Sequence, residues 1–257
     1  MSSRSFFAAV IPLFAGAVLC AAADNNPTRI PVLLELFTSE GCSSCPPADR
    51  LLEILDQKQP VAEADLIVLS EHVDYWDRLG WKDPFSSSQY TARQQEYSYR
   101  FNGDGVYTPQ LVVDGRFGFV GSDGREASSA IQKALRERKI PIAISNASRD
   151  GNQVVAHIEV PAADQDPQGG RGVLYVALAD NRAESRVARG ENAGRSLAHV
   201  GVTRILKRVG TIDLSTGSAK EVVLTVQSGA GASGSRVVAF IQDPKTGHIL
   251  GVAAQRL

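Results

Sequence analysis

The residues with the clearest capacity for chemistry are Cys42 and Cys45, in the run Gly41-Cys42-Ser43-Ser44-Cys45-Pro46-Pro47. Two cysteines three positions apart can bond to each other, exchange that bond with an outside thiol, or supply half of a metal site. Pro46 and Pro47 are tolerated only in a first helical turn, so the pattern places Cys42 where a strand gives way to a helix. Unpaired amides and the helix dipole at such an end favour a thiolate. Cys42 is therefore the expected nucleophile, and Cys45, one turn along, the thiol that resolves a mixed disulfide.

Three readings of the pair stay open on the residues alone. A redox-active couple uses the helix-terminal placement fully, whereas a static disulfide uses only the spacing. A zinc site normally takes four ligands, and beside this pair the chain offers His72, His157, His199 and His248 without a second tight pair. Copper(I) could be held by Cys42, Cys45 and His72, although the one methionine, Met1, sits at the extreme N-terminus.

The elements that must position these groups are legible as hydrophobic patterns. Residues 30–37 (IPVLLELF) form a nearly continuous apolar run, as expected of a strand covered on both faces. Apolar positions at helical spacing predict a helix over 44–57, and DLIVL at 65–69 gives a second strand, so the opening reads as a βαβ unit. His72 follows that strand at its C-terminal end, where open α/β sheets place ligand sites. The stretch 86–100 reads as a helix, and 110–113 and 117–120 as a hairpin about Asp114-Gly115. A further helix is capped by Ser122 or Asp123. Trp76, Trp81, Tyr90, Tyr97 and Tyr99 either line a substrate groove or dock the surrounding segment to the body.

Beyond Pro141 the texture changes to alternating segments such as QVVAHIEV, VLYVALAD and RVVAFIQD, which predict a small antiparallel sandwich of six or seven strands. The gaps 162–171 and 227–234 read as exposed loops. The polar, Gly-rich run 189–199 reads as a long connection whose charges pair among themselves, ahead of a binding loop that reaches toward the first domain.

This element order, with Tyr107-Thr108-Pro109-Gln110 opening the hairpin, resembles the thioredoxin superfamily over residues 30–139. More closely, LLELFTSEGCSSCPPADRLL, VYTPQLVVDG and GENAGRSLAHVGVTR resemble a bacterial exported family known as domain of unknown function 1223. The resemblance implies an α/β fold, with a thioredoxin-like N-terminal domain over 24–140, interrupted by an insertion at about 76–105, and an antiparallel β-sandwich-like domain over 141–257. It also implies a cis peptide at Pro109 beside the two sulfurs, with the Thr108 backbone available to a substrate segment; Trp76 is the groove aromatic expected to contact that segment. Glu35 would be the base that deprotonates Cys45 if it points toward that sulfur; strand alternation equally allows the opposite orientation. Gly41 stands where thioredoxins carry a Trp.

Length and composition bound the rest. The 257 residues are 43% apolar and 21% charged, enough for a sizeable core and incompatible with disorder. A net charge of −1 gives no electrostatic footprint for nucleic acid. Arg4, the apolar stretch 6–20 and the small residues Ala21 and Ala23 read as a cleavable signal over 1–23, too short and too interrupted to span a bilayer. The expectation is a periplasmic or secreted protein, not inserted in the membrane after signal removal. It acts through its CxxC pair on exported protein thiols or disulfides, with a membrane redox partner as a further candidate. It needs no organic cofactor and no metal. The alternatives are a copper-delivery module and a non-catalytic domain with a static disulfide.

Overall fold

The structure, a computed structural model, describes residues 29–101, 103, 105–162, 170–226 and 234–257. The expected signal segment, with Cys20, lies outside the described residues, as do most of the two expected loops after Ala162 and Val226.

The chain opens with β1 (Ile30–Thr38), α1 (Pro46–Lys58) and β2 (Ala64–His72), the two strands pairing in parallel from Ile30↔Ala64 to Thr38↔His72. A 3-10 turn (Asp77–Leu79) leads to α2 (Ser88–Arg100), whose N-cap Ser87 accepts the Gln89 N–H. The hairpin β3 (Gln110–Val113) and β4 (Phe117–Val120) follows, turning on Asp114 and Gly115, both with positive φ. Asp123 caps α3 (Gly124–Ala134) by accepting the amides of Arg125 and Glu126. Seven strands complete the chain: β5 (Ala143–Asp150), β6 (Gln153–Val160), β7 (Arg171–Arg186), β8 (Ser196–Asp213), β9 (Ser218–Thr225), β10 (Ser235–Gln242) and β11 (Ile249–Arg256).

These strands do not form the expected α/β fold of a thioredoxin-like domain with a separate sandwich. Eleven strands against three α-helices make the described residues mostly β. Eight strands join in one mixed sheet of order β11-β10-β7-β8-β2-β1-β3-β4, leaving β5-β6-β9 as a second, smaller sheet. The strand responsible is β8, which pairs antiparallel with β7 over most of its length and meets β2 in parallel at Ser70↔Val202. Gly201 makes the junction possible. Its φ is +60°, and a Cβ there would lie 2.5 Å from the Val68 carbonyl oxygen.

Strand alternation then sorts side chains to the two faces of the sheet. Val32, Leu34 and Leu36 of β1 pack with Leu52 of α1 and Ile131 of α3. On the other face, Leu33 and Leu69 join Tyr90 of α2, Ala177 of β7 and Phe240 of β10 in a cluster that crosses from one half of the sheet to the other. The small sheet packs Val154, Ile158 and Leu224 on Leu174, Val237 and Ile241. Burial of each large apolar side chain contributes roughly 1.5–3 kcal/mol, so the cross-sheet cluster resists separation of the two halves.

Candidate functional site

After β1 the chain tightens into a double turn: the Cys42 N–H donates to the Ser39 carbonyl (3.1 Å) and the Cys45 N–H to the Cys42 carbonyl (3.2 Å). Cys45 is the N-cap of α1, and its own carbonyl accepts from the amides of Ala48 and Asp49. The helix starts two residues later than the pattern predicts, so Cys45 rather than Cys42 occupies its end. Cys42 and Cys45 form a disulfide with Cα atoms 5.5 Å apart. Both are buried, at 1% and 0% exposure, whereas Ser43 and Ser44 between them face solvent.

The Thr108–Pro109 peptide is cis, and Pro109 is buried. A Cβ on Gly121 would meet Leu36, Ala48 and Pro109 at 2.8, 3.2 and 3.3 Å, which places the Pro109 loop against the first turn of α1. The Trp76 indole N–H donates to Thr108 Oγ1 (2.8 Å), and Trp76 Cβ stands 3.1 Å from where a side chain on Gly41 would begin. Gly41, Trp76, Thr108 and Pro109 thus gather beside the disulfide turn.

Beneath the start of α1 lies a buried polar cluster, on the face of the sheet that even-numbered residues of β1 and β2 share. Thr38 Oγ1 donates to Asp49 (3.0 Å), and His72 Nδ1 lies 2.7 Å from Asp83 Oδ2, which also accepts the Glu40 N–H (2.8 Å). The Glu40 carboxylate accepts from the Trp81 indole (2.7 Å) and from Ser185 Oγ. His199 of β8 sits between Asp49 (3.5 Å) and Glu40 (3.6 Å), with its ring edge-on to His72 at 4.7 Å between centroids. Burial disfavours charge on His199, but the two carboxylates overcome it and push its pKa up to about 10. Burial also opposes ionisation of Asp83, yet His72 and the amides of Glu40 and Phe85 hold its pKa below the usual value.

His72, expected to contact substrate or copper, is fully buried, with Nδ1 engaged by Asp83. Among the described residues no group of three or more His, Cys, Asp or Glu side chains is placed to hold a metal ion.

Glu35 also departs from its expected role. The parity that sends Leu34 and Leu36 toward α1 sends Glu35 to the opposite face, so it is not a base for Cys45. There it accepts from Arg93 Nε and from Tyr97 Oη, each at 2.6 Å. The Arg93 guanidinium lies among the rings of Tyr97, Tyr175 and Phe240 at 5.1, 5.3 and 5.1 Å. Burial, reinforced by the neighbouring Glu35, pushes the Glu71 carboxyl well above its ordinary value. Tyr90 and Tyr97 are buried here, so these aromatics dock α2 to the sheet rather than line a groove.

The run 187–195, between β7 and β8, is not an independent connection. Asn192 is fully buried, and its Nδ2 donates to the carbonyl oxygens of both Glu40 and Cys42 at 2.9 Å. The Glu191 carboxylate accepts the Ser43 N–H at 3.0 Å. Glu40, Asp49, Asp83, Asn192 and His199 escape motif reasoning because three stretches far apart in the chain, 40–49, 83 and 192–199, bring them together. Most of them do lie in the stretches that carry the family resemblance: Glu40 and Asp49 in the first, Asn192 and His199 in the last.

A family model described as "Protein of unknown function (DUF1223)" matches residues 33–242. Among solved structures, protein AGR_C_4864 from Agrobacterium tumefaciens is similar over 88% of this chain and 94% of its own, with a TM-score of 0.64 and 26% identity. HBP35 of Porphyromonas gingivalis matches over 90% of this chain and 76% of its own with a TM-score of 0.64, but at 13% identity the likeness is one of fold. No curated protein matches the chain.

Proposed function

The chain belongs to the DUF1223 family of proteins of unknown function, and we propose that it is an exported thiol–disulfide oxidoreductase working through Cys42 and Cys45. The observation that carries this reading is the setting of the disulfide: it closes a ring of four residues at the N-cap of α1, flanked by the buried ionisable groups Glu40, Asp49 and His199. A staple of that size gains little chain entropy, about 2 kcal/mol on the loop-closure relation, against roughly 3 for a 15-residue loop. Buried charges add little net stability even when paired. Bond and charges together are a poor design for a scaffold. They suit a site where a thiol must lose or regain a proton.

In the oxidising direction a partner thiolate attacks Cys42 Sγ, and Cys45 leaves as a thiolate. A second partner thiol then displaces Cys42, so the partner gains a disulfide and the pair becomes a dithiol. The reverse sequence reduces a partner disulfide, with Cys42 attacking and Cys45 resolving. The partners are exported protein thiols or disulfides, recycled by a membrane redox protein, and no organic cofactor is needed. A Cys45→Ser variant is expected to accumulate mixed disulfides through Cys42 with exported proteins; capture no greater than in a Cys42→Ser/Cys45→Ser control contradicts the proposal.

The burial of both sulfurs favours a second reading, a static disulfide. It predicts that strong dithiols leave the native bond intact at equilibrium.

A further inference from the structure

We propose that the segment 187–195 is a lid over the Cys42–Cys45 disulfide, latched by Asn192, and that a partner thiol reaches Cys42 only when it lifts. The inference rests on the redox reading above and adds to it a control of access. In the closed state Cys42 and Cys45 are 1% and 0% exposed, although the two residues between them, Ser43 and Ser44, face solvent. The segment joins the two long strands β7 and β8, and its Glu191 and Asn192 bond the backbone of the disulfide turn.

The way the segment is held is that of a closure rather than of a core element. Within 187–195 the buried side chains are Val187 and Asn192, and the other seven residues are exposed. Val187 sits at the hinge end beside β7, which leaves Asn192 as the plug at the tip. Its two donated hydrogen bonds go to the Glu40 and Cys42 carbonyls, and Arg195 Nη1 holds its Oδ1 at 3.0 Å. The loop is closed on itself by backbone bonds: Val187 N–H to the Arg195 carbonyl (3.0 Å), Ala193 N–H to Gly190 (3.1 Å) and Gly194 N–H to Val187 (2.8 Å). It can therefore swing as a preformed unit. Lifting it breaks the packing of Gly190 against Gly80 and Trp81 together with these few hydrogen bonds, while seven of its nine residues are exposed already.

Glu191 gives the closed lid an electrostatic effect as well. Its carboxylate takes the Ser43 N–H, a donor next to Cys42, and brings a negative charge to that turn. A Cys42 thiolate is disfavoured beside this charge and loses the donor. The closed lid thus favours the disulfide, and the open one favours attack.

The test is the rate at which excess dithiothreitol reduces the native disulfide. One dithiothreitol thiolate bonds to Cys42 Sγ as the Cys42–Cys45 bond breaks and Cys45 takes up a proton. The second thiol of the same molecule then displaces Cys42, leaving cyclic oxidised dithiothreitol and two protein thiols. In Asn192→Ala the rate is expected to rise 10-fold or more. In Asn192→Asp, a size-matched variant that sets a carboxylate against two carbonyl oxygens, it should rise at least as far. Amide exchange should quicken at Ser43 and across 187–195 but not in β7 or β10, which separates lid opening from global unfolding. Reduction of both variants within twofold of wild type overturns the lid. The redox reading fails separately, if the equilibrium potential of the wild-type pair lies in the range of inert structural disulfides, whatever the ratio of rates.

Discussion

On the α2 side of β1 and β2, Arg93 binds Glu35 at 2.6 Å, is flanked by three aromatic rings, and has Glu71 at 3.7 Å. On the α1 side, His199 lies at 3.5–3.6 Å from its two carboxylates, and among the described residues neither of its ring nitrogens, nor His72 Nε2, has a hydrogen-bond partner. Both faces bury charge: among the described residues, the first pairs Glu35 tightly with one guanidinium but leaves both Glu71 oxygens without a hydrogen bond, and the second leaves imidazoles under-bonded next to a disulfide. The contrast teaches that burial of ionisable groups does not by itself mark chemistry. Both faces hold under-bonded groups, and the one with neighbouring sulfurs is where a proton can pass to or from a thiol.

Four perturbations sharpen this contrast. Arg93→Met strands Glu35 beside Tyr97 and Glu71, and should cost about 3–5 kcal/mol in chemical denaturation while leaving the reduction potential of the cysteine pair unchanged. A shift in that potential would mean that the two faces are coupled. The His199 contribution follows pH. Its folded pKa of about 10 lies above its unfolded value of 6.5, so the stabilisation is complete below pH 6.5 and is lost as pH rises toward 10. The gap in unfolding free energy between wild type and His199→Asn should therefore shrink by at least about 2 kcal/mol between pH 6 and pH 10. A constant gap contradicts the ion-pair account. Glu71, also raised, bends the wild-type curve the same way from about pH 4.5 upward.

Smaller effects follow. The double variant Cys42→Ser/Cys45→Ser should lose about 2 kcal/mol, the loop-closure value for so short a ring. A much larger loss would favour a structural staple. Gly41→Ala brings a Cβ to 3.1 Å from Trp76 and should cost about 1 kcal/mol while displacing the indole, visible as a change in Trp fluorescence.

Much of the first half was legible in the sequence because its elements carry local signals. The apolar run of β1, the double proline of α1, the Asp-Gly turn between β3 and β4 and the Asp123 cap each report on the backbone nearby. The fold class was not legible, for reasons that centre on β8. Its 18 residues mix Arg, Lys and Gly with apolar positions, and the register shifts twice against β7, so no period of two survives along it. That unread strand joins the two halves into one sheet and delivers His199. Glu35 turned on a parity that the sequence leaves open by one residue. Asn192 has no local signal at all, because its partners are the carbonyls of Glu40 and Cys42.

The central claim, that Cys42 and Cys45 form a working couple and not a fixed bond, is tested most directly by equilibrating the native protein with thiol–disulfide buffers and measuring the reduced fraction. The account predicts a standard potential between about −270 and −120 mV, the span of thiol–disulfide oxidoreductases. A value below about −300 mV, where structural disulfides resist reduction, would contradict it.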